Sequence, residues 1–446
     1  MMPPAKKILA KPFTSTTLRL LLQAIVIGLT VGLIVSIFRL LIDKGMDTLY
    51  ILYPYMRTHP IWIIPYAAFT LLIVFLLGQI IKYDINNLAG SGIPQLQAMF
   101  LGENQMSWFQ ILWRKFVGSL LAMGTGLFLG REGPCIQMGA MVAKGYATNF
   151  YYTPDDDTQV LTCAGIAAGL SAAVSAPFAG VFFLVEEITE SFRPKDIMSA
   201  LAAAASADLV TIIFFGTKPC LYLPIAHKLP VTSYWSLVLV GIAAGVLAYV
   251  YQWALLNSKW LFNKIKKIPR IYHSLIPMLA IIPIGLIYPH SLGGSHMLID
   301  ILFHNPIIVQ NEELGDLTWL LIPIIFSVIR FVFSMVSYAS SVPGGIFMPT
   351  MVLGALLGLV SSTILIHLGL IPPGNYTNII VISMAAYFGA CLHAPITAIM
   401  LLTEMIGTVQ QVLPMIMTVF ISCTVLSTLG GRPLYDSLRQ QMGFKI

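Results

Sequence analysis

Gly130-Arg131-Glu132-Gly133-Pro134 is the stretch on which the reading of this chain turns. It sets two ionisable side chains among glycines and a proline, in the middle of apolar sequence. Proline suits the first position of a helix, and glycine lets backbone approach closely, so the motif reads as a helix start. A helix start offers free N–H groups and the positive end of the macrodipole, which together attract anions. Glu132 beside such a start is itself an anion, standing where a foreign anion would bind. Ionised, it blocks the position; protonated, it loses that attraction and can swing away. One residue can thus gate an anion and carry a proton, and an intramembrane ionisable residue is a functional candidate by default. The plainer reading is a salt bridge in which Arg131 merely satisfies Glu132.

The surrounding sequence makes the bilayer the solvent. Of 446 residues, 57% are hydrophobic and 10% charged, against about 25% charged in a soluble domain. Mean hydropathy is +0.83. Apolar stretches recur at 20–41, 62–81, 109–129, 160–185, 197–215, 235–256, 275–287, 317–335, 346–368, 379–402 and 412–429. The polar stretches between them, 152–158 with its three aspartates and 304–316, are too short to be domains. The expectation is one all-α integral membrane domain. The formal net charge is +6, with Lys6, Lys7, Lys11 and Arg19 before the first apolar run and Arg432, Arg439 and Lys445 after the last. The positive-inside rule then puts both termini in the cytoplasm, with an even number of crossings. The 20–41 run is too long for a signal-peptide core and lacks a small-residue cleavage site, so a retained first helix is expected.

Composition also excludes function classes. No dense basic stripe invites nucleic acid. The five cysteines, Cys135, Cys163, Cys220, Cys391 and Cys423, form no C-x-x-C pair and read as small buried hydrophobes. The eight histidines are scattered without metal-ligand spacing. Gly90-Ser91-Gly92 lacks the third glycine of a dinucleotide fingerprint, and no P-loop is present. No metal and no cofactor are expected, nor an ATP-driven pump. A membrane enzyme lacks a nucleophile–base set.

Pro94, Pro134, Pro177, Pro343, Pro349 and Pro395 interrupt or border apolar sequence. Such breaks free backbone groups at membrane depth, tolerated only where protein buries them or where they line a wet cavity. Paired breaks in the two halves of a chain point to a transporter's midplane site. Gly345-Ile346-Phe347-Met348-Pro349 repeats the construction of the 130–134 motif, and Gly165–Gly169 is echoed by Gly241–Gly245, although small-xxx-small spacing is common packing sequence. The expected organisation is a cytoplasmic segment 1–19, membrane halves 20–228 and 229–435 related as an inverted repeat, and a cytoplasmic tail 436–446.

Two more segments join the motif. In Gly90-Ser91-Gly92-Ile93-Pro94 the serine adds a hydroxyl donor to a helix start, although a plain N-cap uses the same residues. Gly344-Gly345-Ile346-Phe347-Met348-Pro349 has no charge, but its backbone N–H groups complete a cradle. Phe347 lines the pore or simply packs. Asp208 and Arg330, inside apolar runs, are expected to find partners in the bundle, and Glu404 to serve a helix end.

Together these segments resemble the CLC family of chloride channels and chloride/proton antiporters, which shows GSGIP, GREGP and GxFxP in this order. Tyr435, in Arg432-Pro433-Leu434-Tyr435, matches the family's pore tyrosine. The resemblance runs from about residue 20 to residue 435. It implies that Ser91 and Tyr435 donate hydroxyls to a central chloride. It implies that Gly133, Ile346 and Phe347 help to bind the anion, the last two through backbone amides. Glu132 resembles the external gate, and Glu187 the internal glutamate that passes protons in the antiporters, with Glu186 beside it as a rival. Serine at 91 favours chloride, since nitrate-tuned members tend to have proline there. Arg131 and Lys115 take supporting electrostatic places. The chain departs from well-known antiporters at Gln95 and Gln97, where acidic residues are common, and Lys115 thereby loses a carboxylate partner. The family's cytoplasmic CBS pair is not expected. The resemblance also implies a homodimer in the lipid bilayer, with one pore per subunit. Two functions follow from it: exchange of chloride for protons, and passive gated chloride conduction. Glu187 favours exchange, because a second buried carboxylate is costly without use.

Overall fold

The computed structural model describes residues 15–443 apart from 219, 222, 224, 226, 227, 266, 295 and 305–317. Lys6, Lys7, Lys11 and Lys445 lie outside the described residues, as does most of the polar stretch 304–316.

The regular elements of the described residues are helices, joined by short loops. The first half holds α1 (Ser15–Thr58), α2 (Ile63–Ile81), α3 (Ile85–Leu88), α4 (Ile93–Phe100), α5 (Trp108–Gly124), α6 (Glu132–Gly145), α7 (Asp155–Val174), α8 (Pro177–Phe183) and α9 (Pro194–Phe215). The second holds α10 (Ser236–Asn263), α11 (Leu275–Ile287), α12 (His296–His304), α13 (Thr318–Ala339), α14 (Phe347–His367), α15 (Tyr376–Leu392), α16 (Pro395–Ile406), α17 (Val412–Thr428) and α18 (Leu434–Gln441). Nine helical segments among the described residues are long and apolar enough to cross a membrane. The 44 residues of α1 extend about 66 Å, well beyond the roughly 30 Å that a perpendicular crossing needs. Others, such as α4, α8 and α16, are too short to cross at all.

Two apolar runs that read as single stretches, 160–185 and 379–402, are each two helices. α7 ends at Val174, Ser175 turns left-handed (φ 54°), and α8 begins at Pro177. α15 ends at Leu392, His393 turns left-handed (φ 68°), and α16 begins at Pro395. Proline bars the residue before it from helical backbone and removes an N–H from the ladder, so hydropathy alone does not register the break.

The halves repeat one order of contacts. α1 packs on α7 and α9, α6 on α7, α7 on α8, and α8 on α9; correspondingly α10 packs on α15 and α17, α14 on α15, α15 on α16, and α16 on α17. Close packing here depends on small residues. A Cβ on Gly139 of α6 would collide with the backbone of α7 at Gly165 and Gly169, which is how membrane helices gain contact without a hydrophobic driving force.

α8 and α16 also cap each other. The Glu186 carboxylate, just past α8, accepts the backbone N–H groups of Ile396 (2.9 Å) and Thr397 (2.6 Å) and the Thr397 hydroxyl (2.6 Å). Glu404 of α16 accepts the N–H groups of Phe178 (3.0 Å) and Ala179 (2.8 Å). Each glutamate thus satisfies orphan donors at the start of the opposite helix, and Glu404 serves a helix end as its sequence context suggests.

Candidate functional site

The three glycine–proline turns, far apart in sequence, are tied together by main-chain hydrogen bonds. The Gly90 N–H donates to Val342 O at 2.9 Å and the Gly344 N–H to Gly90 O at 3.0 Å. Gly130 and Gly345 exchange two bonds, each 2.7 Å. The turns are thereby held side by side, and each leads into a helix: α4, α6 and α14 begin just beyond them. The approach is close. A Cβ on Gly133 would stand 2.7 Å from Ser91 Cβ, so only glycine lets the start of α6 lie against the Ser91 turn.

Ser91 is fully buried, and its Oγ accepts the Ile93 N–H at 3.3 Å. That bond uses a lone pair and leaves the hydroxyl hydrogen as a donor. Tyr435, at the first turn of α18, is also fully buried, and its hydroxyl has no protein partner. It borders an aromatic cluster: Phe183 meets both Tyr435 (centroids 6.4 Å apart) and Phe347 (6.2 Å) edge-on, and Phe388 meets Phe347 at 4.5 Å. Phe347 therefore packs in this aromatic cluster, and Ile346, also fully buried, is the N-cap of α14. Tyr338, which the sequence reading did not single out, brings its hydroxyl beside Ser91. As one aromatic residue on an apolar helix it carried no signal in the sequence. Buried hydroxyl groups and helix starts thus lie close together, an arrangement suited to a small desolvated anion.

Glu132 stands at the head of α6 with no exposed surface. Its carboxylate lies against the backbone N–H groups of its own residue and of Met348 in α14, yet neither oxygen completes a hydrogen bond. Arg131 does not satisfy it: the Arg131 guanidinium bonds Asp43 of α1 at 2.8 Å. The plain salt-bridge reading is thus set aside. Glu132 instead faces a cavity of about 300 Å³ shared with Arg39, Arg131, Cys220 and His296.

Lys115, fully buried, donates to Leu88 O (3.0 Å) and Gly90 O (2.7 Å). The missing carboxylate partner is replaced by main-chain carbonyls of the Ser91 turn, which the ammonium braces from behind. Gln95 braces the same turn, donating to Asn86 O (2.8 Å) and Ala89 O (2.9 Å). Gln97 reaches the other way, to the carbonyl of Glu187 (2.6 Å). Glu187 sits, 4% exposed, on a π-turn over Leu184–Thr189, a distortion that often accompanies functional positions. Its neighbour Glu186 is committed to capping α16. Tyr435 lies within electrostatic reach of both Glu132 and Glu187. Arg330, fully buried, donates to the carbonyls of Ser291 and Gly293, both at 2.9 Å, while Asp208 Oδ1 is buried without a partner.

The pattern of the voltage gated chloride channel family matches residues 71–427. The H(+)/Cl(-) exchange transporter ClcA of Vibrio parahaemolyticus is 30% identical over 438 residues, which cover 95% of this chain and 90% of that protein. The ClcA exchanger of Salmonella arizonae is 28% identical over 434 residues, covering 95% and 88%. Among solved structures, a slow cyanobacterial Cl-/H+ antiporter superimposes with a TM-score of 0.85 at 25% identity, over 95% of this chain and 97% of that one. A CLC-type fluoride/proton antiporter shares the fold, with a TM-score of 0.72 at 20% identity.

Proposed function

This chain belongs to the voltage-gated chloride channel family, and from that premise we propose that it is a multi-pass membrane protein exchanging chloride for protons. The observation that carries the proposal is Glu132: a fully buried carboxylate at the start of α6 and beside the start of α14, with both oxygens unpartnered. A structural carboxylate at membrane depth is expected to be satisfied; one left open between two helix starts suits a gate that gives way to an anion. The names of its relatives, an H(+)/Cl(-) exchange transporter at 30% identity and a Cl-/H+ antiporter structure, support the coupling.

In this reading Glu132 is the external gate and proton acceptor, and Glu187 is the internal proton-transfer residue. The engagement of Glu186 by α16 supports Glu187 over its neighbour. Ser91 and Tyr435 donate to chloride by hydroxyl, and Gly133, Ile346 and Phe347 line the site from two helix starts. Lys115 and Arg131 hold the turn and the gate in place. Halves 20–228 and 229–435 form an inverted repeat, supported by their parallel order of helix contacts and by the exchanged caps. Both termini face the cytoplasm of a cell membrane, and the unit is a homodimer with one pore per subunit. Only chloride and protons pass; no cofactor and no nucleic acid takes part.

The test is flux in proteoliposomes holding the purified protein. A chloride gradient is expected to drive protons uphill. A current that reverses at the chloride equilibrium potential, with no pH change, would establish a passive channel instead. Glu132→Ala is expected to keep chloride flux and lose proton flux, and coupling that survives it would remove Glu132 from the gate. Protonation takes the carboxylate's charge out of the anion's place, so chloride turnover should rise as the outer solution is acidified, and Glu132→Gln should flatten that rise.

A further inference from the structure

We propose that Arg39, Arg131 and Cys220 form an anion-holding site on the wall of the cavity that Glu132 faces, where a monovalent inorganic anion waits before it enters the pore. The proposal rests on the chloride/proton reading for the identity of the anion, chloride.

Arg39 carries the argument. It is 4% exposed on the first membrane helix. Burying a guanidinium is costly unless it is paired. Its Nη1 donates to Ala172 O at 2.7 Å and to Ser175 Oγ at 3.5 Å, and its face lies 4.0 Å from the Phe215 ring centroid. These contacts orient the group, while Asp43 and Asp208 act on its charge only through space, beyond ion-pair distance. No carboxylate among the described residues lies within ion-pair distance of it, and its Nε has no partner. Arg131, 7% exposed, also leaves its Nε unpartnered, although Asp43 takes its Nη1.

The two cations converge. Cys220 Sγ lies 4.0 Å from Arg39 Nη2 and 3.9 Å from Arg131 Nη2. The point between two guanidiniums, where an anion gains most, is therefore occupied by a small uncharged thiol at the wall of the 300 Å³ cavity. A thiol is a weak acceptor, and a rotation of its side chain yields the niche to an anion. The acidic groups around the cavity do not pre-empt the place. Asp43 is half-exposed and spent on Arg131, Asp47 stands one turn on at the exposed mouth, and Glu132 takes the floor at the helix starts. One cavity thus brings together two aspartates, two arginines and the gate.

Cys220 reports on its own site. The other four cysteines are buried, so in the full-length protein, with Cys220→Ala as the blank, mass spectrometry follows labelling by methanethiosulfonates. The reagent bearing a sulfonate is expected to label Cys220 roughly tenfold faster than the one bearing a trimethylammonium group. Chloride replacing gluconate at equal ionic strength should slow both. Arg39→Gln should abolish the preference and the protection, and Arg39→Lys should keep both. Equal rates for the two reagents, or labelling indifferent to chloride in the unmodified protein, overturn the site whether or not Arg39→Gln folds. Chloride protection that persists in a folded Arg39→Gln protein overturns it too. The outcome is separable from the exchange reading: absent proton flux with intact chloride protection removes the coupling and leaves the site.

Discussion

At the scale of single residues, adjacent glutamates have opposite fates. Glu186 spends its carboxylate on two backbone N–H groups and a hydroxyl of α16, while Glu187 hangs on a π-turn with its own carbonyl taken by Gln97. Glu187→Gln should therefore abolish proton flux while chloride flux and melting temperature stay near those of the unmodified protein. Glu186→Ala should do the reverse, lowering the melting temperature and keeping the proton-to-chloride ratio. Proton flux lost only in the Glu186 variant would move the inner proton path to that residue. The sequence could name both glutamates but not choose between them, because the choice depends on a helix start 210 residues away. The same limit applied to Lys115. Gln97 signalled that its carboxylate partner was missing, but nothing in the sequence said that the carbonyls of Leu88 and Gly90 would take its place.

At the scale of elements, what was legible was what glycine and proline write locally. The starts of α4, α6 and α14 follow from motif chemistry, and each forms where the turns at 90–94, 130–134 and 344–349 predict. The breaks after α7 and α15 were harder to read, because the residues on both sides are equally apolar and only Pro177 and Pro395 mark them. Those two breaks create the helices that cap each other. Removing one cap leaves one exposed and one part-buried N–H group of the partner helix without their carboxylate, so Glu404→Ala should cost about 1 kcal/mol, read as a lower melting temperature with the coupling ratio unchanged. Lost proton coupling at unchanged stability would instead put Glu404 on a proton path. Because both caps join the same two helices, Glu186→Ala and Glu404→Ala should not add: the second change is made in a pair already loosened.

At the scale of the whole molecule, every part of the proposed pore comes from one chain. The three turns are bonded to one another within it, Tyr435 is buried among Phe183 and Phe347 of the same chain, and both carboxylates lie within reach of that tyrosine. A second subunit would therefore add a second pore rather than complete the first. Such an assembly would differ from one whose path runs along a symmetry axis, where a single defective subunit spoils the whole. Two chains joined end to end, one unmodified and one carrying Glu187→Gln, separate the cases. With independent pores the linked pair should carry about half the proton flux of a linked unmodified pair, its chloride flux little changed. Complete loss of proton flux would mean that the subunits share one proton path. The linkage is feasible if both termini face the same side, so failure to obtain any active linked unmodified pair, while the single chain remains active, would count against the even number of crossings inferred from the flanking basic residues.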